Sequence, residues 1–297
     1  MTATRERTVL VTGAAGMLGS QVVRAVPPGL GTLATDQAAG GGLDAPGIDL
    51  AEPGAVGRLL AGADRLAGVI HCAAYTAVDQ AEVEPDIAWR VNVDACAVLA
   101  EACARAGLPL VVVSTDFVFD GRKRTPYLED DSPRPLSVYG RTKLEGERLA
   151  LAAHPGGVAV VRTQWLYGPR GRHFPRTIVE RARAGAALRV VDDQVGAPTT
   201  TLELAPALWD VLLLGGRGVF HAACQGSCSW FELAREVLAA CRLGGAALAP
   251  CCSDEHPRPA PRPAYSVLGG SRLVELRGRR LAPWREALRA CLLEEPL

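Results

Sequence analysis

Short apolar runs alternate along this chain with stretches whose apolar residues recur at helical spacing. Thr8-Val9-Leu10-Val11-Thr12, Leu33-Ala34-Thr35, Gly68-Val69-Ile70-His71, Leu110-Val111-Val112-Val113 and Val158-Ala159-Val160-Val161-Arg162-Thr163 have strand length. Their apolar residues are consecutive rather than at every second position, clearest in Leu110-Val111-Val112-Val113, the pattern of strands covered on both faces. Helical spacing runs from about 17 to 26 and about 87 to 106, and returns at 201–214 and 229–241. Strand and helix in alternation predict βαβ units, and so an α/β fold with a doubly wound parallel sheet. Gly40-Gly41-Gly42 reads as a loop. The segment Pro250 to Pro263, with prolines at 250, 257, 259, 261 and 263, is expected as a loop or extended arm. A loop of that length in a compact chain is usually functional.

The first strand runs into Gly13-Ala14-Ala15-Gly16-Met17-Leu18-Gly19, a glycine-rich turn that opens a helix. Backbone N–H groups and the helix dipole at such a turn can hold a pyrophosphate, and glycine lets the main chain approach it. Gly13, Gly16, Met17, Leu18 and Gly19 are therefore candidate cofactor contacts. The second strand ends at Asp36, about twenty residues on, where a carboxylate can bind ribose hydroxyls. Its charge would repel a 2′-phosphate, which leans toward NADH over NADPH. Asp49-Leu50 precedes a helix begun by Pro53, and the aspartate either accepts from an adenine amino group or caps a turn. Ala73 and Ala74, just past the 68–71 run, leave room for a cofactor, whereas His71 reads as a packed strand-end residue. Asn92 is the only asparagine in the chain. Asparagine is poor in mid-helix, so a hydrogen-bonding duty toward backbone or water is expected.

Tyr139 and Lys143 are four apart, which puts them on one helix face. An ammonium beside a phenol favours the phenolate and lowers its pKa from the usual value near ~10, making an acid or base usable at neutral pH. The alternative is an ordinary exposed pair. Composition argues against it: of 32 Lys+Arg only Lys123 and Lys143 are lysines. Arginine's planar fork does not replace a compact point charge. Ser114 and Thr115 close the 110–113 run, where hydroxyls face the crevice in which open α/β sheets bind ligands.

The formal charge of zero gives no reason to expect nucleic acid or an anionic membrane as partner. The start, Met1 to Arg7, runs straight into a strand, so no signal peptide is expected, and no apolar run reaches membrane-spanning length. The nine cysteines are scattered, and Cys224 and Cys228 lack a second pair with metal spacing. They read as buried thiols of a cytoplasmic protein.

Gly13-x-x-Gly16-x-x-Gly19, Asn92, Ser114-Thr115 and Tyr139-x-x-x-Lys143 together resemble an extended short-chain dehydrogenase/reductase. The strings Ala74-Tyr75-Thr76-Ala77-Val78-Asp79-Gln80-Ala81-Glu82, Ser114-Thr115-Asp116-Phe117-Val118-Phe119-Asp120-Gly121, Arg162-Thr163-Gln164-Trp165-Leu166-Tyr167-Gly168 and Asp193-Gln194-Val195-Gly196-Ala197-Pro198-Thr199 narrow this, with Arg262-Pro263 and Ser266. The chain is similar to the dTDP-4-dehydrorhamnose reductase family over nearly its whole length. The resemblance implies a Rossmann-type sheet with a smaller C-terminal substrate-binding domain. Residues 1–161 with about 200–222 would hold NADPH or NADH, and about 162–199 with 223–297 would hold substrate.

The implied activity is reduction of the C4 keto group of a dTDP-linked 4-keto-6-deoxy sugar by a monomer or homodimer. Tyr139 would protonate the carbonyl oxygen. Lys143 would lower the tyrosine pKa and bind the nicotinamide ribose, and Thr115 would hydrogen-bond the carbonyl oxygen. Tyr75, Asn92 and Ser114 join the implied cofactor contacts. Thr76, Val78, Phe117, Trp165 and Arg262 join the implied substrate contacts, Arg262 on the phosphates. Phe117 stands where tyrosine is common and Gln164 where a small residue is usual, which leaves the exact sugar open. Gln21 occupies a position where a bridging magnesium would want a carboxylate, so no metal is carried over. Two rivals share the fold. One is a non-catalytic regulatory subunit, like that of methionine adenosyltransferase, which lacks the Trp-x-Tyr-Gly and Asp-Gln-x-Gly-Ala-Pro-Thr strings present here. The other is an epimerase or dehydratase, the latter usually carrying Asp-Glu where Asp116-Phe117 follows Thr115.

Overall fold

Among the residues the structure describes, seven parallel strands form the central sheet: β1 (Arg7–Thr12), β2 (Leu30–Asp36), β3 (Ala45–Pro46), β4 (Leu66–His71), β5 (Leu110–Thr115), β6 (Val158–Thr163) and β7 (Gly218–His221). Their spatial order is β3-β2-β1-β4-β5-β6-β7, every pairing parallel. The computed structural model describes residues 7–38, 42–63 and 65–294. The Met1–Glu6 start and Gly40-Gly41 of the expected glycine loop lie outside them. The order reverses between β1 and β4, the switch point at which doubly wound sheets bind ligands.

The sheet is covered on both faces, which is why its strands are apolar without alternation. Val9, Val11, Ile70, Val111 and Val161 face one core with Leu204, Leu208 and Trp209. Leu10, Val69, Val112 and Val160 face the other with Leu99 and Cys103. Helix Thr201–Leu213 joins the first layer and is pinned to helix Met17–Arg24 by Trp209 Nε1, which donates to the Val22 carbonyl at 2.9 Å. Beyond the sheet, three small strand pairs join 166–167 to 199–200, 195–196 to 228–229, and 188–191 to 248–251. No helix among the described residues is long and apolar enough to cross a membrane.

Three expectations change. The helix expected from 87 to 106 is α-helical at Pro85–Trp89, π-helical at Arg90–Asp94 and α-helical again at Ala95–Ala106. Asn92 lies in the π turn, where it bonds outside its own helix. The expected loop at 250–263 begins inside a strand, Leu248–Cys251, and makes a 3-10 turn at Ser253–Glu255 before the extended arm. All nine cysteines are free thiols, but Cys252 is exposed.

Candidate active site

The glycine turn closes because two side chains are missing. A Cβ on Gly19 would lie 2.0 Å from the Gly13 carbonyl oxygen, and one on Gly13 2.5 Å from the Ala73 nitrogen. Gly13 also has φ of 66°, in the region glycine favours. The turn therefore seats directly against the loop after β4. Asp36, at the end of β2, accepts from the Ala15 and Ala38 N–H groups at 3.0 Å each. A cavity of about 710 Å³ opens along these carboxyl ends. Gly13, Gly16, Met17, Leu18, Gly19, Asp36, Asp49 and Leu50 line one half, and Ala73, Ala74, Thr76, Val78, Ser114, Thr115, Phe117, Tyr139, Lys143 and Trp165 the other.

Asp49 caps a turn, accepting from Ala51 N–H at 2.9 Å, and pairs with Arg90 at 2.7 Å while still lining the cavity. Tyr75 and Asn92 do not line it. Asn92 Oδ1 accepts from Tyr75 N–H at 2.9 Å, and its Nδ2 donates to the Tyr75 carbonyl and to Thr142 Oγ1. It fixes the loop that carries Ala73 and Thr76, which is the backbone duty its position suggested. The Tyr75 hydroxyl donates to Glu84. His71 is buried and bonded to Thr12 Oγ1, and burial with the nearby Lys143 charge pushes it down to about 3. It packs, as expected.

Helix Val138–Ala153 delivers the tyrosine and lysine. Ser137 caps it by accepting from Gly140 N–H at 3.1 Å, and Glu82 accepts from Val138 N–H at 2.7 Å, placing negative charge at the helix's positive end. The helix can sit this deep because Gly140 lies against the Phe117 carbonyl and Gly146 against that of Asn92; a Cβ at either would come within 2.2 Å.

The electrostatics differ from the simple Tyr–Lys expectation. Burial pushes the Tyr139 phenol up to about 12, the neighbouring Thr115 hydroxyl only partly offsetting it and the Asp116 charge raising it further. The Lys143 ammonium donates to the Val113 carbonyl at 2.8 Å, and its own pKa is lowered by burial. Burial dominates because a phenolate formed inside the protein loses the hydration that stabilises it in water. Thr115 Oγ1 accepts from Phe117 N–H at 3.2 Å and lies 3.1 Å from Asp116 Oδ1, to which its single proton points. Donation to a carbonyl oxygen requires that hydroxyl to turn.

A second cavity of about 550 Å³ shares Phe117 and Trp165 with the first. Trp165 has φ of 49° and stacks on Trp230 with ring centroids 3.6 Å apart. Arg181, Arg189, Arg258 and Arg262 reach this cavity. Arg262 is not a free phosphate ligand: its guanidinium grips Asp79, Nη1 to Oδ1 at 2.9 Å and Nη2 to Oδ2 at 3.0 Å.

The sequence reading gave no role to several residues at or beside the site. Asp116, 2% exposed, has its carboxyl pushed up to about 6 by burial, against hydrogen bonds from Ser266 and Thr115 that lower it. Glu147 continues the Tyr139–Lys143 line one turn further and accepts from Ser114 and from Arg162. Gln164 is buried, its Oε1 accepting from Ala197 N–H at 3.0 Å. The four-residue spacing after Lys143 pointed to Glu147. Nothing local pointed to Trp230.

A doubly wound sheet with a glycine turn at its switch point, and a helix bringing tyrosine and lysine beside a strand-end threonine, define a short-chain dehydrogenase/reductase-type oxidoreductase. Residues 7–296 match the family described as RmlD substrate binding domain. The chain is 42% identical over 288 residues to a dTDP-4-dehydrorhamnose reductase of Mycolicibacterium smegmatis, covering 94% of this chain and 83% of that protein. It is 44% identical over 291 residues to a protein of Streptomyces antibioticus named a probable dTDP-4,6-dihydroxy-2-methyloxan-3-one 4-ketoreductase, covering 94% and 92%. The crystal structure of dTDP-4-dehydrorhamnose reductase from Bacillus anthracis in complex with NADP superposes with a TM-score of 0.90 at 31% identity, covering 97% and 99%. The chain belongs to the dTDP-4-dehydrorhamnose reductase family.

Proposed function

We propose that this protein is a cytoplasmic NAD(P)H-dependent reductase of the C4 keto group of a dTDP-linked 4-keto-6-deoxy sugar. The observation that carries the reading is the meeting of Tyr139, Lys143 and Thr115 on one cavity continuous at Phe117 and Trp165 with a second, arginine-lined one. The cradle suits a dinucleotide: Gly13, Gly16 and Gly19 line it without side chains in a turn held tight because Gly13 and Gly19 lack a Cβ, and Asp36 offers a carboxylate to ribose hydroxyls. The bound dihydronicotinamide supplies the hydride. Residues 1–161 with about 200–222 hold that cofactor, and about 162–199 with 223–297 hold the sugar nucleotide.

A phenol with its pKa near 12 is protonated at neutral pH, the state a reductase needs in a proton donor. Tyr139 gives that proton to the carbonyl oxygen. Lys143 keeps one N–H on Val113 and has two further donors, one for a ribose hydroxyl and one that stabilises the phenolate left behind. Thr115, once turned from Asp116, donates to the same oxygen and stabilises its developing charge.

The test is cofactor oxidation with a panel of dTDP-4-keto sugars, including dTDP-4-dehydrorhamnose and the 2-deoxy analogue. Tyr139→Phe removes one oxygen and keeps the ring, so kcat should fall by about 10²–10⁴ with cofactor affinity kept. Turnover at the parent rate would assign the acid to another group. A parent that binds NAD(P)H and reduces no keto sugar would favour the regulatory-subunit reading.

A further inference from the structure

The Pro257–Arg262 stretch of the arm borders the second cavity, yet among the described residues its hydrogen bonds to the rest of the protein all go to one side chain. Asp79 accepts from Arg262 through both guanidinium nitrogens, from Arg258 Nη1 at 3.2 Å and from the Ala260 N–H at 3.3 Å. Arg262 Nη1 donates in turn to the Ala260 carbonyl at 2.8 Å. The carboxylate and the guanidinium thus close a ring around Ala260, which is 2% exposed. Both ends of the arm are fixed elsewhere. Its start pairs with 188–191, and Ser253 N–H donates to Asp193 at 2.8 Å. Its end bonds Val195 in both directions at 2.8 Å and passes so close to Gly121 that a Cβ there would meet Pro263 Cα at 2.6 Å.

Asp79 itself follows Thr76 and Val78, which line the first cavity. It stands between the loop that borders the first cavity and the arm that borders the second. A two-toothed carboxylate–guanidinium contact fixes orientation as well as distance. Hydrogen bonding from Arg262 and the Ala260 N–H, with the Arg262 and Arg258 charges, outweighs burial and holds the Asp79 carboxyl below its usual value. The pair is therefore ionised wherever the enzyme would work.

We infer that Asp79 is a positioning residue for substrate: acting through Arg262, it holds the 257–262 arm over the sugar nucleotide. The opposite arrangement, in which Asp79 merely occupies Arg262 until a diphosphate displaces it, predicts the reverse effect of removing the carboxylate. The inference rests on the reductase reading, so one measurement is chosen that does not.

In the unliganded protein, Asp79→Asn should speed deuterium exchange across the peptide containing Ala260 while exchange in β1 and β5 stays as in the parent. In turnover, Asp79→Asn should raise KM for the dTDP-4-keto sugar about tenfold or more, as loss of a charge-assisted contact implies, with the Kd for NAD(P)H unchanged. Arg262→Gln should do the same. The double variant should be no worse than the worse single, because the two act as one unit. A lower KM in Asp79→Asn, an unchanged KM, or additive effects in the double variant would each overturn the inference. A parent without turnover would sink the reductase reading, and unchanged exchange at Ala260 would separately sink the positioning role.

Discussion

Replacing Glu147 by glutamine is the sharpest test of how the catalytic floor is built. Glu147 and Arg162 have side chains 2% and 4% exposed, so neither charge is shared with water. Arg162 Nε donates to Oε1 at 3.0 Å and Nη2 to Oε2 at 2.6 Å, while the Ser114 hydroxyl also donates to Oε1. Arg162 Nη1 has no partner, and the guanidinium otherwise lies over the Phe119 ring at 5.2 Å. Among the described residues Glu147 is thus its one anionic contact. The amide keeps the volume and removes the charge, leaving a buried cation unpaired; such losses cost about 3–5 kcal/mol. At about 2–4 °C per kcal/mol for a chain of this order of size, Tm should fall by about 6–20 °C. Denaturant midpoints with unchanged slope would confirm that stability, not compactness, moved. Glu147→Leu with Arg162→Met should lose less than either single change, since apolar replacement of a whole buried pair is often neutral. A single-variant loss under about 1 kcal/mol, or strict additivity in the double, would refute the reasoning.

Other outcomes follow from the same physics. Because Asp36 lines the cavity with a carboxylate at the end of β2 and no arginine follows it closely, NADH should bind at least as well as NADPH; fluorescence titration showing NADPH preferred beyond about tenfold (~1.4 kcal/mol) would contradict this. Asp116, whose carboxyl is raised to about 6 from 3.8, is protonated in the fold at a pH where the unfolded chain has released its proton. Its contribution to stability is therefore present below about pH 4 and lost as pH rises toward 6. Asp116→Asn should gain on the parent by up to ~3 kcal/mol between pH 4 and 7, read from denaturant unfolding at both pH values; parallel curves would argue against a raised carboxyl.

By itself the sequence determined five of the seven strands of the sheet, the glycine turn and the Tyr139–Lys143 spacing. Each is written in short-range terms: unbroken apolar runs mean strands covered twice, and a missing Cβ is the residue type itself. Val158–Thr163 was legible to the residue for that reason. Tertiary structure decided whatever depends on which distant groups share a desolvated volume. The phenol of Tyr139 rises rather than falls because the fold buries it, with the Asp116 charge beside it. Arg262 meets Asp79, far away in sequence, instead of standing free. Asn92 bonds Tyr75 and Thr142 because a π turn aims it off its helix. Charge pairing and desolvation act through space, and the order of residues along the chain carries no distance across the sheet.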